Sequence, residues 1–409
     1  MTEPLGPHHK SIPPSAWGAT VEEFLAGKPR LSSMSTPVLT LDQRRLGHNI
    51  DAVAQWVADR GMLLAPHGKT TMAPQLWQRQ LDAGAWAITL ATGWQVQVAR
   101  RLGVKRILMA NPMVAAGDLR WLAAELADDP QFEFYCWVDS QAAVEHIAGH
   151  LDELDETARP INVMVELGAP GGRTGARDIG EALQVARAIV ASPHLALAGV
   201  GGYEGALGHD RHPEALGRVN DYLASLVDLH RQVIPLAETE PLLTAGGSAY
   251  PDLVANQVAG LVANGGRVVL RSGAYITHDD GFYAGISPFS DAVDPANPVH
   301  LESAIHGWAR VISTPEPDLA LLDAGKRDLP YDEGLPVVQT PQRARSTATV
   351  TAMNDQHTFV RGAALNVGEV VRLGLSHPCT AFDKWRLIPV CSDADEPDPI
   401  VVDLIRTYF

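Results

Sequence analysis

Short apolar segments and amphipathic segments alternate along residues 62–270. Eight apolar runs, rich in branched side chains, begin near residues 62, 86, 106, 132, 161, 195, 241 and 267. The segments between them carry apolar residues at helical spacing, as in TMAPQLWQRQLDAG, TGWQVQVARRLG and GEALQVARAIVAS. Strands that alternate with helices indicate parallel βαβ units, and eight such units predict a (β/α)8 barrel. An open, doubly wound sheet is the alternative, because periodicity alone does not count strands reliably.

The pattern changes near residue 285. The segments LALLDAG, TATVTAM, TFVRGAAL, VGEVVRLGL and WRLIPV are short, apolar and joined by turn residues, as in a β-rich domain. The last helix-like segment is PIVVDLIRTYF, residues 399–409. We therefore predict an N-terminal arm over residues 1–35 with a short helix at 21–26, a barrel over 36–284, and a β-rich C-terminal domain over 285–409 that ends in a helix.

Composition narrows the range of functions. The 409 residues are 46% hydrophobic, enough for a large core, and 32 Lys and Arg against 48 Asp and Glu leave a formal net charge of −16. A chain this acidic has no general attraction for nucleic acid or anionic membranes, so an anionic ligand would need a local cationic pocket. The three cysteines form no CxxC pair, and neither a signal peptide nor a transmembrane segment is recognisable. We expect a cytoplasmic protein with no nucleic-acid or membrane partner.

One lysine stands at the end of the first predicted barrel strand. Lys69 follows the apolar run MLLA in the segment PHGKTTMAP. Most lysines are solvated surface residues, and without context that interpretation comes first. The catalytic groups of parallel barrels, however, cluster at the C-terminal ends of the strands, and a desolvated lysine amine is a nucleophile suited to a Schiff base. Lys69 is therefore the first candidate catalytic residue.

Three further segments follow predicted barrel strands. Arg173 lies in the glycine-rich loop ELGAPGGRTG, and Tyr203 lies in GGYEG. Gly246, Gly247 and Ser248 lie in TAGGS, where successive backbone N–H groups can form an anion-binding nest. Taken singly, the Arg173 segment is equally consistent with an ordinary loop, and a core tyrosine is the favoured interpretation of Tyr203. The glycine loop matches neither the P-loop nor the dinucleotide-binding fingerprint. The shared position of these segments at strand ends favours a ligand site.

A candidate metal pair lies in the C-terminal domain. His377 and Cys379 are two residues apart in the segment SHPCTAFDKW. On an extended strand, residues i and i+2 point to the same side, so we expect the two side chains to share a face. Imidazole nitrogen and thiolate sulfur suit Zn²⁺ and leave positions open for water and substrate. A buried cysteine beside a hydrogen-bonded histidine is the other interpretation, and for an isolated His-x-Cys pair it is the favoured one.

Together these segments resemble one family over nearly the whole chain. It is the D-serine dehydratase and D-threonine aldolase family of pyridoxal-phosphate enzymes, whose barrel is like that of alanine racemase. The resemblance rests on the order and spacing of TPVLTLD, PHGKTT, ELGAPGGRTG, GGYEG, TAGGS, GAYITHDDGFY and SHPCTAFDKW. Jointly these segments are far more specific than any one of them.

The resemblance implies roles for the candidate residues. Lys69 matches the lysine that forms the Schiff base with pyridoxal 5'-phosphate. Arg173 matches an arginine near the phenolic oxygen of the cofactor, and Tyr203 a tyrosine beside its pyridine ring. The remaining matches are the phosphate loop (Gly246, Gly247 and Ser248), a further tyrosine on the cofactor side (Tyr275) and the metal pair (His377 and Cys379). His-x-Cys is the form found in zinc-dependent D-serine dehydratases, whereas the aldolases of the family tend to carry His-x-Asp.

The implied activity is that of a lyase. We expect a pyridoxal-phosphate- and zinc-dependent D-serine dehydratase-like deaminase, with Mn²⁺ as an alternative metal. It would convert a D-3-hydroxy amino acid to a 2-oxo acid and ammonia. D-threonine aldolase-type cleavage to glycine and an aldehyde is the alternative, and an amino acid racemase or a non-catalytic carrier of the cofactor fits the metal pair less well. The resemblance also implies a homodimer.

Overall fold

The chain forms two compact units, each assembled from separate stretches of sequence. The computed structural model describes residues 3–154, 159–339 and 347–409. We call Ala54–Lys69 with Gln80–Gly273 the barrel unit, and we call Met1–Val53 with Thr70–Arg79 and Ala274–Phe409 the β-rich unit. The units interleave along the chain, and the linear boundaries expected from the sequence remain predictions.

The helices occur where the amphipathic segments predict them. The predicted short helix at residues 21–26 is present and opens with a capping box between Thr20 and Glu23. Thr92, Ser140 and Asp178 cap later helices in the same way, since each side chain accepts a backbone N–H from three residues further on. In the described residues the α-helices are α1 (Val21–Ala26), α2 (Gln43–Ala58), α3 (Pro74–Asp82), α4 (Gly93–Arg101), α5 (Ala116–Asp128), α6 (Gln141–Asp152), α7 (Ile179–Ala191), α8 (Pro213–Val233), α9 (Pro251–Ala263) and α10 (Phe282–Ile286). Within those residues, none of the helices has the length and apolarity needed to cross a membrane.

The strands fall into two sheets. In the described residues they are β1 (Val38–Asp42), β2 (Leu63–Leu64), β3 (Ile88–Leu90), β4 (Arg106–Met109), β5 (Glu133–Val138), β6 (Ile161–Leu167), β7 (Leu195–Gly202), β8 (Leu242–Ala245), β9 (Arg267–Leu270), β10 (Ile305–Glu316), β11 (Leu319–Leu322), β12 (Val337–Gln339), β13 (Thr349–Met353), β14 (Thr358–Arg361), β15 (Val370–Gly374), β16 (Leu387–Cys391) and β17 (Val401–Arg406). Strands β2 to β9 correspond to the eight apolar runs of the sequence, which confirms that prediction.

The eight strands of the barrel unit are parallel and follow the order β2-β9-β8-β7-β6-β5-β4-β3. The two ends of this order meet, because His67 beyond β2 forms a parallel bridge with Thr89 in β3. The N–H of Thr89 donates to the carbonyl of Pro66 at 2.9 Å, and that of Trp86 donates to Leu64 at 2.7 Å. The sheet therefore closes into the predicted (β/α)8 barrel, and the open doubly wound alternative is excluded.

Apolar side chains fill the barrel. One buried cluster takes residues from successive strands around the sheet, including Ala65, Leu108, Met164, Leu242 and Val269. The strands are buried on both faces, as β6 illustrates with six buried residues out of seven. Burial on both faces explains why the sequences of these parallel strands are nearly continuous apolar runs. The packed interior leaves the ends of the strands as the place for polar chemistry.

The β-rich unit is built on the second sheet. Its strand order is β13-β14-β11-β10-β1-β16-β17, while β15 pairs with both β10 and β12. Strand β1, from the N-terminal part of the chain, is antiparallel to β10 and parallel to β16. Leu5, Ile12 and Met34 of the N-terminal arm share a buried cluster with Leu387 and Leu404. The arm is thus part of the core of this unit.

The final segment is a strand, so the predicted C-terminal helix was wrong. Strand β17 pairs antiparallel with β16, with Leu387 opposite Arg406 and Cys391 opposite Val401. Val401, Leu404 and Ile405 are buried. Branched Val and Ile side chains pack well on a half-buried sheet, and the hydrogen-bond ladder of a neighbouring strand outweighed the weak helical spacing of this segment. That neighbour is a tertiary feature, which local periodicity does not report.

Candidate active site

Polar side chains gather where the barrel strands end. His67 follows β2, Trp137 and Glu166 lie near the ends of β5 and β6, and Arg271 follows β9. We call these four residues the barrel-end cluster. His67 Nδ1, Trp137 Nε1, Glu166 Oε2 and Arg271 Nε are buried, and none of these atoms has a hydrogen-bond partner in the described part of the chain. Buried polar atoms without partners are costly, so four of them at one end of a barrel indicate a ligand or ordered water.

Arg271 is the buried cation of the barrel-end cluster. Its guanidinium donates to Thr244 Oγ1 and to the carbonyl of Gly202, both at 2.6 Å, and lies 4.7 Å from the centre of the Trp137 ring. Burial lowers the pKa of Arg271 to about 10, against the raising effect of Glu204 and other groups. The side chain therefore stays charged at neutral pH. The sequence analysis missed it, although a lone arginine directly after the last barrel strand was a usable signal.

Glu166 supplies a carboxyl group to the same cluster. It is 5% exposed, and its Oε1 accepts a hydrogen bond from Thr174 Oγ1 at 2.9 Å. Burial raises the pKa of Glu166 to about 7; Thr174 opposes the shift, and the nearby Asp139 adds to it. A carboxyl group with this pKa exchanges its proton near neutral pH, which is unusual for glutamate.

His67 and Lys69 both follow β2 and are separated by Gly68. Lys69 is exposed and lies in the 3-10 turn Gly68–Thr70. The pKa of His67 is held well below its usual range, chiefly by burial and further by the charges of Lys69, Arg271 and Arg173. The imidazole is therefore neutral, and three cations act on it. In a protein of net charge −16, this is the kind of local cationic pocket that an anionic ligand requires.

The structure brings Arg173 and Tyr203 together. The Arg173 guanidinium lies 4.9 Å from the centre of the Tyr203 ring, within range of a cation–π interaction. The N–H of Tyr203 donates to the hydroxyl of Tyr222, which donates in turn to the carbonyl of Leu167 at 2.6 Å. These bonds hold the backbone of Tyr203 between two neighbouring strands. Arg173 itself is exposed, as the loop position predicts.

Two backbone N–H groups of the glycine loop already donate to a carboxylate. The N–H of Gly247 donates to Glu204 Oε1 at 2.7 Å, and that of Gly246 donates to Glu204 Oε2 at 3.0 Å. Gly246 has a φ of +99°, which favours glycine, and a Cβ at Gly247 would lie 2.9 Å from Tyr203 Cε2. Ser248 Oγ accepts the N–H of Gly273 at 3.3 Å. A phosphate at Gly246 and Gly247 would have to share or displace the Glu204 carboxylate, which the sequence analysis did not foresee.

The residues of the barrel unit fit pyridoxal phosphate. The amine of Lys69, an exposed residue, suits a carbonyl cofactor, and the unpartnered atoms of the barrel-end cluster suit a polar ring. The cations around His67 suit a phosphate dianion. Only the assignment of the phosphate to Gly246 and Gly247 is complicated, because Glu204 takes both N–H groups. Tyr275, expected on the cofactor side, is 3% exposed and belongs to the β-rich unit.

His377 is in a backbone conformation that differs from the prediction. We expected His377 and Cys379 on an extended strand, but His377 has a φ of +61° and Pro378–Thr380 form a 3-10 turn. This premise was wrong because Pro378 and the positive φ end strand geometry after β15. The N–H of His377 donates to Asp279 Oδ2 at 3.0 Å. Asp279 also accepts the N–H groups of Gly281 and Tyr283, both at 2.9 Å, and so ties the GAYITHDDGFY segment to SHPC.

The turn nevertheless brings the two side chains together. The Cys379 thiol lies within hydrogen-bond reach of the His377 ring, and Asp332 Oδ2 lies 2.7 Å from His377 Nδ1. Burial disfavours the charged ring, but Cys379 and Asp332 outweigh it and raise the pKa of His377 to about 9. Thr70 Oγ1 lies 3.5 Å from Cys379 Sγ. The sequence analysis missed Asp332 and Asp279, which lie 45 and 98 residues away from His377.

The donor atoms of His377 and Cys379 fit a borderline-soft metal ion such as Zn²⁺, because imidazole nitrogen and thiolate sulfur are its usual ligands. Among the described residues, the group of three potential ligands with all donor atoms within 4.8 Å of one another is Glu3, His8 and His9. Arg406 already pairs with Glu3, and the Gly6 N–H donates to His9 Nδ1 at 3.3 Å. The His377 pair is therefore the stronger candidate for a catalytic metal.

Two family models match the chain. The alanine racemase N-terminal domain matches residues 41–252, which cover the barrel strands up to β8. The "Putative serine dehydratase domain" matches residues 304–391, a stretch that contains His377 and Cys379. The first match spans half of the chain, and the second falls within the β-rich unit.

Individual proteins agree with these models. The chain is 26% identical to a D-threonine aldolase of Arthrobacter sp. over 358 residues, which cover 86% of this chain and 88% of the relative. Its fold resembles that of the D-threonine aldolase from Filomicrobium marinum, with a TM-score of 0.77, 21% identity, and coverage of 92% of this chain and 96% of the other. It also resembles D-threo-3-hydroxyaspartate dehydratase from Delftia sp. HT23, with a TM-score of 0.73, 22% identity, and coverage of 93% and 99%. The chain belongs to the D-serine dehydratase and D-threonine aldolase family, whose barrel is of the alanine racemase type.

Proposed function

We propose that this protein catalyses the dehydration of D-3-hydroxy amino acids. Its family provides the broader class of the reaction, that of a pyridoxal-phosphate-dependent lyase. D-Serine or a related D-3-hydroxy amino acid would yield a 2-oxo acid and ammonia. The observation that carries this proposal is the contact between His377 and Cys379 in SHPC, within the stretch that matches the serine dehydratase domain.

Lys69 is the proposed catalytic base. Lys69 is an exposed residue at the end of the first barrel strand, where its amine would hold the cofactor until the amino group of the substrate displaces it. The freed Nζ would then take the proton from Cα. Pyridoxal phosphate supplies the electron sink that stabilises negative charge at Cα. The Cβ–O bond would break next, with the proton taken up by Lys69 returned to the hydroxyl so that it leaves as water, and the released enamine would hydrolyse to the 2-oxo acid and ammonia.

The other residues of the barrel unit would bind and orient. Arg173 and Arg271 would provide positive charge for the phosphate and the substrate carboxylate. Tyr203, packed under Arg173 and anchored through Tyr222, offers a ring face held in a fixed position. In pyridoxal-phosphate enzymes the protein generally orients the cofactor and thereby determines which bond breaks.

His377 and Cys379 would hold a metal ion, for which we propose Zn²⁺. A hydroxyl is a poor leaving group, and a bound metal would act as a Lewis acid on the β-oxygen. Within the β-rich unit, the backbone of His377 is pinned by Asp279 and its ring by Asp332, so the ligand pair is held before any metal binds. A thiolate ligand favours Zn²⁺ over Mg²⁺ or Ca²⁺.

Retro-aldol cleavage is the second candidate. It is favoured by the similarity to the D-threonine aldolase of Arthrobacter sp.. In that reaction the β-hydroxyl loses its proton, the Cα–Cβ bond breaks, and glycine and an aldehyde are formed. Both reactions would use Lys69 and a metal held at the same two positions, so cysteine rather than aspartate at position 379 is the residue that favours dehydration.

Product analysis separates the two reactions. The purified holoenzyme is incubated with D-serine, D-threonine, D-3-hydroxyaspartate and their L-enantiomers, and 2-oxo acid, ammonia, glycine and aldehyde are measured. We expect 2-oxo acid and ammonia in equal amounts from a D-substrate and none from its L-enantiomer. Glycine and aldehyde in equal amounts would instead establish the aldolase, and mere interconversion of enantiomers would contradict both.

A further inference from the structure

The Asp332 side chain bridges two residues of the SHPC segment. Its Oδ2 lies 2.7 Å from His377 Nδ1, and its Oδ1 accepts a hydrogen bond from Thr380 Oγ1 at 2.8 Å. Both oxygens of the carboxylate are therefore engaged. Asp332 lies in the loop between β11 and β12, so the contact is tertiary. The proposed function assigns no role to this loop.

We propose that Asp332 is the positioning residue of the metal pair, which fixes the tautomer and the orientation of the His377 ring. The inference rests on the proposed metal site. An ionised carboxylate only accepts hydrogen bonds, so its contact with Nδ1 requires the proton on that nitrogen. The lone pair of the neutral ring then lies on Nε2, where a metal can bind. Histidine ligands of metals usually donate their other N–H to a carboxylate or carbonyl in this manner.

Two observations favour this role over direct ligation by Asp332. His377, Cys379 and Asp332 do not form a group of three donors within 4.8 Å of one another in the described chain, whereas Glu3, His8 and His9 do. In addition, one oxygen of the Asp332 carboxylate contacts the His377 ring, and the other accepts a hydrogen bond from Thr380. A direct ligand would need an oxygen that points to the ion.

Other contacts around the His377 imidazole restrict its position, and Asp332 contacts one of its nitrogens. The backbone of His377 is held by Asp279, and the rings of Phe282 and Tyr283 lie 6.2 and 6.3 Å from the imidazole. These contacts limit where the ring lies. Besides Cys379, the proposed second metal ligand, Asp332 contacts the ring itself, and its contact is made to one nitrogen, Nδ1, at 2.7 Å.

Zinc affinity tests the proposal. Metal-depleted holoenzyme is titrated with Zn²⁺ by isothermal titration calorimetry for the wild type, Asp332→Ala, Asp332→Asn and Cys379→Ala. We expect Asp332→Ala to weaken Zn²⁺ binding by about 10- to 100-fold and Asp332→Asn by less, because one acceptor oxygen remains. The matched control is Asp383→Asn, an exposed carboxylate of the same segment that pairs with Lys384. It should leave the affinity unchanged.

A second measurement separates positioning from ligation and from misfolding. Co²⁺ is substituted for Zn²⁺, and the ligand-field spectrum of each variant is recorded together with its melting temperature. A positioning role predicts an unchanged number of protein ligands, weaker binding and a nearly unchanged melting temperature. A spectrum that reports one oxygen ligand fewer in Asp332→Ala would overturn the proposal in favour of direct ligation. A fall in melting temperature in both Asp332 variants that accounts for the weaker binding would overturn it in favour of a structural role.

The outcomes distinguish this inference from the proposed metal site. If wild type and Cys379→Ala bind Zn²⁺ equally, the binding belongs elsewhere, for example to Glu3, His8 and His9, and both the metal site and the role of Asp332 are refuted. If Cys379→Ala abolishes binding while Asp332→Ala keeps wild-type affinity, the metal site stands and only the role of Asp332 is refuted.

Discussion

The Glu204 carboxylate bridges the backbone N–H groups of the glycine loop: Oε1 accepts from Gly247 at 2.7 Å, and Oε2 accepts from Gly246 at 3.0 Å. Glu204 is fully buried and immediately follows Tyr203. One side chain therefore couples the loop after β8 to the segment that carries Tyr203.

Glu204→Gln should loosen the loop. The amide keeps one acceptor oxygen but presents an NH₂ group to the other backbone N–H, which loses its partner at a cost of about 1–3 kcal/mol. We expect a lower melting temperature and faster loss of cofactor on dialysis, measured by absorbance. Glu214→Gln, in the first turn of α8, is the control and should change neither. If cofactor retention rises instead, Glu204 competes with the phosphate for the nest.

Lys69 should carry the cofactor. Reduction of the purified holoenzyme with borohydride, followed by digestion and mass spectrometry, should locate the pyridoxyl group on the peptide that contains Lys69. Lys69→Ala should lose nearly all activity, because both the anchor and the base are removed. Lys105→Ala, an exposed lysine, should behave as wild type. Pyridoxyl found on Lys105 or Lys326 would refute the assignment.

The two C-terminal cysteines should behave differently. Cys379→Ala should lose both metal and lyase activity while it retains the cofactor absorbance, and chelation of the wild type should have the same effect. Cys391 is fully buried in β16, and burial raises the pKa of its thiol to about 12, so it is an inert core residue. Cys391→Ala should therefore keep metal and activity. Metal content by elemental analysis, measured beside activity on D-serine, checks this; full dehydration by metal-free enzyme would rule out the metal mechanism.

Glu166 should make stability depend on pH. Its pKa is raised from 4.5 to about 7, so the folded state binds the proton more tightly than the unfolded state. The stabilisation is fully present below about pH 4.5 and is lost as the pH rises through 7, and a shift of this size corresponds to ~3 kcal/mol. Glu166→Gln lacks this proton and should lose less stability between pH 5 and pH 8.

Urea unfolding of wild type and Glu166→Gln at both pH values measures the difference. Glu238→Gln replaces an exposed glutamate after α8 and should follow the wild type. Parallel pH curves for wild type and Glu166→Gln would mean that Glu166 is ionised in the folded protein throughout this range.

Much of the candidate site could be predicted because it depends on local signals. Lys69, Arg173, Tyr203 and Gly247 were proposed from the sequence because loops after parallel strands meet at one end of a barrel. Glu204 and Arg271 were missed because nothing in their neighbouring residues shows that a carboxylate fills the nest or that a buried guanidinium follows β9. His377 and Cys379 were paired correctly, but for a wrong geometric reason, since the pair lies on a turn.

The sequence by itself determined the elements that depend on neighbouring residues: eight apolar runs became eight parallel strands, amphipathic segments became helices, and Thr20 and Glu23 started α1. Tertiary structure decided everything that needs a distant partner. The segment at residues 401–406 is a strand because β16 offers it a ladder, and β1 belongs to the second sheet because it pairs with β10 and β16. The contact between Asp332 and His377 joins residues 45 apart. Periodicity reports which face of an element is apolar, but the partner that covers that face, or the atom that binds a side chain, is selected only when the chain packs.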